Sequence, residues 1–155
     1  MAAAGGFRAA EPVRHQPSDT VALGRWAVAV DGAELESTPT GGGRLRVALR
    51  VTNVTRQTRP VSEFQNFAAP GAATSALDVV PMDPTVAALD PDVPTRLWVL
   101  VPWTSPEPVA ATLELGLRTD ARPASPVAGR DEDTFVAGPE RARVTVALVD
   151  RRVGP

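Results

Sequence analysis

The sequence predicts an all-β chain folded as a sandwich of antiparallel sheets with seven to nine strands, and three observations carry that expectation. Apolar and polar residues alternate with a period of two in several segments, turn residues fall between those segments, and no segment shows a helix-length apolar pattern. Sixteen prolines and twelve glycines in 155 residues are too many for a helical bundle, because proline inside a helix costs about 3 kcal/mol.

In chain order, Met1-Ala2-Ala3-Ala4-Gly5-Gly6 and the polar, proline-bearing sequence up to Asp19 read as a start codon set on a flexible tether over 1–19, with an export signal or anchor removed. Val21 to Leu23 leads into a strand marked by Trp26, Val28 and Val30, and a bulge or bend at Gly24 is expected to absorb the change of parity. Asp31-Gly32 then reads as a turn. In Arg44 to Thr52 the residues Leu45, Val47, Leu49 and Val51 face one way and Arg44, Arg46 and Arg50 the other, which is the pattern of a half-buried strand.

Weaker strands are expected at Val61 to Phe67, Ala76 to Val80 and Thr134 to Val136. Leu97 to Val101 is apolar on both faces, which suits a central strand covered on each side or one passing under a loop, with Trp98 in the core. The alternation returns in Thr112 to Arg118 and in Arg143 to Leu148. The expected core is therefore Leu45, Val47, Leu49, Val51, Leu113, Leu115, Leu117, Val144, Val146 and Leu148. One sandwich domain over 20–150 and a short tail over 151–155 complete the organisation.

Three short motifs carry a family resemblance: the strand Val47 to Val51 running into Thr52-Asn53-Val54-Thr55, the turn Leu89-Asp90-Pro91-Asp92-Val93-Pro94, and the apolar strand Leu97 to Val101 closed by Pro102. In these the chain resembles the telokin-like immunoglobulin-fold domains of actinobacterial exported proteins, the secreted immunoprotective antigen type, over roughly residues 20 to 149. Asp92 stands where the family's turn usually has glycine. The resemblance implies an immunoglobulin-like sandwich in the cell envelope or medium, secreted or anchored to the membrane, and transfers no catalytic residue.

Composition narrows the chemistry. The absence of cysteine removes disulfides, thiolate nucleophiles and cysteine-held metals. A net charge of -2 offers no basic field to a nucleic acid. Every basic residue but His15 is arginine, and lysine, isoleucine and tyrosine are missing, a bias expected of GC-rich coding. His15, the single histidine, lies in the expected tether, so serine or threonine nucleophiles lack a histidine base. The acidic run Asp131-Glu132-Asp133 reads as a solvated turn before it reads as a cation site, and Glu34 with Glu36 share a strand face by spacing alone.

The candidate partner contacts are Trp103, just past the apolar strand, and the outward arginines Arg44, Arg46 and Arg50. Aromatic faces offer large contact areas and guanidinium forks suit carboxylates and phosphates, while packing of Trp103 over the sandwich edge and ordinary solvation of the arginines are the plain alternatives. Phe64 and Phe67 would lie on opposite faces if their segment were extended. The sequence thus points to a non-catalytic exported interaction or structural module of the cell envelope, with no cofactor and with an envelope protein or polymer as partner. A carrier of a small lipid or glycan ligand comes second, and an enzyme without histidine chemistry third.

Overall fold

Alternating side chains and closely spaced turns resolve into eleven strands in a computed structural model that describes residues 12–68, 78–103, 109–121 and 135–152. Three long strands make the main layer: β3 (Trp26–Ser37), β4 (Gly43–Asn53) and β9 (Pro94–Trp103). β4 pairs antiparallel with β3 from Trp26 opposite Asn53 to Ser37 opposite Gly43, and with β9 from Gly43 opposite Trp103 to Thr52 opposite Pro94. β7 (Asp78–Pro81) extends this layer beyond β9, and β2 (Val21–Ala22) pairs antiparallel with β3.

The second layer is built on β10 (Thr112–Ala121) and β11 (Val136–Asp150), with β6 (Phe67–Ala68) beside β10 and β1 (Val13–His15) beside β11. β5 (Arg59–Pro60) and β8 (Ala88–Leu89) form a separate two-stranded ribbon. β11 belongs to both layers. It pairs with β10 over most of its length, and its last residues, Leu148 to Asp150, lie parallel to Ala33 to Leu35 of β3.

The core lies between the layers. Leu45, Val47, Leu49 and Val51 of β4 and Leu97, Val99 and Val101 of β9 are buried from one side, and Leu115, Leu117, Val144, Val146 and Leu148 from the other. Of the expected core residues only Leu113 is half-buried, packed against the rest. Trp26 and Phe64 are fully buried and meet edge to face at 6.0 Å between ring centres, an arrangement that suits the ring quadrupoles.

Several sequence expectations change. The sheet is mixed, because both β1 and the end of β11 pair parallel with their neighbours. Gly24 does not bend one strand. Its φ of +83° suits a residue without Cβ, and Leu23 N–H donates to the Trp26 carbonyl at 2.8 Å, so β2 folds back on β3 as a hairpin. Asp31-Gly32 is not a turn either: β3 runs through it, and the register shift between Val30 and Gly32 is a bulge.

Part of the expected tether over 1–19 is a strand. Val13 to His15 pair with Ala142 to Val144, and Arg14 reaches Glu114 at 2.9 Å, so these residues, His15 included, belong to the sheet. Residues 1–11 and the acidic turn 131–133 lie outside the described residues. At the other end, Arg151 N–H still donates to the Leu35 carbonyl at 2.7 Å, so the expected tail over 151–155 begins inside the hydrogen-bonded structure. Val61 to Phe67 is not extended: Val61–Glu63 is a single 3-10 turn, and with that bend Phe64 and Phe67 are both buried.

Candidate interaction face

The outer side of the main layer is set by strand parity. Because β4 and β9 alternate, the residues that do not enter the core stand outward in register. Glu34 on β3 lies opposite Arg46 on β4, which lies opposite Leu100 on β9, and Leu100 lies opposite Asp78 on β7. One step along, Gly32, Ala48, Trp98 and Val80 form the next row, and on the other side Glu36, Arg44 and Pro102 form a third. Val149 of β11 extends the first row beyond Glu34 and is 46% exposed.

Trp98 is therefore not a core residue. It is half-buried on this outer face, and the Arg46 guanidinium lies 4.3 Å from its ring centre. A cation over an indole face is attracted by the ring's negative quadrupole, worth about 0.5–1 kcal/mol at an exposed site. Leu100 and Val80, both half-buried, flank it. Sequence reasoning missed Trp98 because Leu97 to Val101 is apolar on both faces and so carries no sign of which parity is inward. The available signal was on β4, the strand beside it: Arg46 must point outward, and so must Leu100 opposite it and, by parity, Trp98.

The outward arginines all find carboxylates on β3. Arg44 bonds Glu36 through Nε at 2.8 Å and through a second, shorter contact, Arg46 bonds Glu34 at 3.0 Å, and Arg50 Nε lies 3.1 Å from Asp31. Arg151 adds a second bond to Glu34 at 3.1 Å. The face is thus not a basic patch but two adjoining stripes, acidic on β3 and basic on β4. Trp103 sits apart from it. Its parity is inward, it is half-buried, and it packs against the core edge.

A second cluster of charge lies inside one end of the sandwich. Arg25, 9% exposed, donates from its backbone N–H and from Nε to one Asp120 oxygen at 2.8 and 3.0 Å, and from Nη2 to the other at 3.0 Å. Its Nη1 reaches Glu63 at 3.0 Å, which Arg59 also contacts at 3.1 Å, and Asn66 donates to Asp120 at 2.9 Å. The Arg25 guanidinium also lies 5.1 Å from the Trp26 ring centre and 4.4 Å from that of Phe135. Burial pushes the Asp120 pKa up, but the hydrogen bonds from Arg25 and Asn66 and the Arg25 charge outweigh it and hold the carboxyl below its ordinary range.

Two arginines and two carboxylates neutralise one another here, so the cluster ties the β2–β3 turn, the 3-10 turn and β10 together. Among the described residues no three His, Cys, Asp or Glu side chains gather in a way that could hold a metal ion.

With this geometry in place, comparison with known proteins bears on the fold. The chain has a β-sandwich fold. A solved structure described as an uncharacterized β-sandwich protein from Clostridium difficile 630 superposes with a TM-score of 0.52 over 90% of this chain and 97% of that one, at 9% sequence identity. No family model matches the chain, and no curated protein matches it by sequence.

Proposed function

We propose that this protein is a non-catalytic interaction module, exported to the cell envelope as the telokin-like resemblance implies, and that it engages a protein through the outer face of β3, β4 and β9. The observation that carries this is Trp98, held half-exposed beneath the Arg46 guanidinium at the centre of the largest layer. Tryptophan and arginine are the residue types that dominate binding energy in protein interfaces, especially when a ring of polar groups surrounds them. Leu100 and Val80 supply the apolar centre, and the paired charges of β3 and β4 the polar rim.

A protein surface of mixed charge suits this face better than an anionic polymer does, because Glu36, Glu34 and Asp31 stand beside Arg44, Arg46 and Arg50 and repel a partner of uniform negative charge. The test is a photo-crosslinking residue placed at Leu100 in the native cells, with the same residue at exposed Thr145 on the other layer as control. A discrete adduct at position 100 that is absent at position 145, and that disappears with Trp98→Ala, is expected. The same background pattern from both positions, or an adduct indifferent to Trp98, would overturn the reading.

A further inference from the structure

We propose that this face docks on the same face of a second copy of the chain, about a twofold axis that lies in the interface and runs along the strands between β3 and β4. The inference rests on the reading of this face as an interaction surface and names its partner. The sequence of residues across the face carries it. Val149, Glu34, Arg46 and Leu100 stand side by side in that order, which reads apolar, acidic, basic, apolar, with exposed Asp78 at the margin beyond Leu100.

A half turn about the stated axis exchanges β3 with β4 and β11 with β9. Arg46 then faces Glu34 of the second copy, and Leu100 faces its Val149. In the row with Glu36 and Arg44 the same operation again sets a base over an acid. The row of Gly32, Ala48 and Trp98 brings each Trp98 ring onto the small-residue side of the other copy, where Ala147 is exposed and a Cβ built on Gly32 would meet nothing within 4 Å. A twofold axis across the strands would instead stack arginine on arginine and glutamate on glutamate, which costs free energy in any interface.

The chosen axis also keeps the strands of the two copies nearly aligned, as packed sheets prefer, with an angle of about 30° from their twist. A twofold contact closes on itself, so the product is a dimer and not a fibre. The pairs within each chain do not compete with this arrangement. Arg46 and Glu34 keep 29% and 26% of their side-chain surface accessible, and stacked stripes share each charge between a lateral and a facing partner.

Sedimentation of the purified chain from micromolar to millimolar concentration, with two charge variants, tests this. The parent should dimerise reversibly and dissociate as salt is raised, since part of the attraction is screened. Arg46→Glu makes both stripes acidic in the central row and Glu34→Arg makes both basic, so each variant alone should be monomeric. Mixed together they should form a heterodimer, an outcome that charge pairing within one chain cannot produce. Gly32→Gln, placed in open space where the fold tolerates it, should weaken the parent dimer about tenfold or more.

A parent that stays monomeric throughout, or a mixture that stays monomeric while both variants melt cooperatively, overturns self-docking. If the crosslinker at position 100 nevertheless gives a Trp98-dependent adduct with a different protein, the interaction face stands and only the second copy is wrong as its occupant.

Discussion

At the scale of single residues, the fold depends most on polar groups that have been taken out of water. Arg25 and Asp120, with 9% and 6% of their side chains accessible, are stable inside because each satisfies most of the other's polar atoms, with Glu63 and Asn66 completing the set. Asp120→Asn leaves Glu63, which Arg59 shares, as the carboxylate partner of Arg25, and urea unfolding should show a loss of about 1.5–3 kcal/mol. The pH dependence follows from the same pair. The folded Asp120 pKa lies below its ordinary value, so its contribution is complete above the ordinary aspartate range and is lost as pH falls through the depressed pKa. Acid unfolding of Arg25→Gln should therefore begin at higher pH than that of the parent; identical acid midpoints would show that the pair does not govern acid stability. Asn53, fully buried, plays a comparable part without charge: its amide donates to the Gln57 and Leu89 carbonyls at 2.7 and 2.8 Å, and its oxygen accepts from the Thr55 N–H at 2.9 Å. Asn53-Val54-Thr55 is thus an internal tie, and Asp92, where the resembled family has glycine, takes a φ of +61° that glycine would adopt without strain.

At the scale of strands, parity decides what a substitution does. Val47 is fully buried, and Val47→Asp places an unpaired carboxylate in the core, so it should cost about 4 kcal/mol or more and unfold much of the population. Arg46→Ser, one residue away, loses only partly exposed ion pairs and a stacked ring and should cost about 1 kcal/mol or less. Equal melting temperatures for the two would contradict the register. β4 was legible because its arginines mark one face, and β10 and β11 because they alternate in the same way. Trp98 was not, since β9 has apolar residues on both sides and only pairing fixes which is inward. β1 was not legible either: three residues in a polar segment have no period to read, and what recruits them is an edge of β11 together with the Arg14–Glu114 pair, 100 residues apart in sequence. Compared with removal of residues 1–11, removal of residues 1–15 should lower the melting temperature by about 3 °C or more, as loss of one edge pairing implies for a domain of this size. Equal melts for the two truncations would return Val13 to His15 to the role of a tether.

For the whole molecule, the sandwich class was legible from turn spacing and alternation, but the way the layers join was not, because parallel closure depends on contacts between distant segments that leave no local mark. The outward stripes were half legible. The basic one was plain in the sequence, whereas the acidic one emerged only when the bulge after Val30 set Glu34 and Glu36 in step with Arg46 and Arg44. The strand shared by both layers also has a kinetic consequence. β3 and β4 can zip together early as a hairpin, but the β3 edge that receives Leu148 to Asp150 must wait until β11 arrives from far along the chain. Until then that edge presents unpaired backbone donors and acceptors, which is the kind of template on which chains stick to one another. Dominance of such distant pairings places folding in the millisecond-to-second range and makes its yield depend on protein concentration. A refolding series at rising concentration should accordingly lose soluble material, and a peptide copying Val144 to Asp150, added during refolding, should recover part of it by occupying the waiting edge.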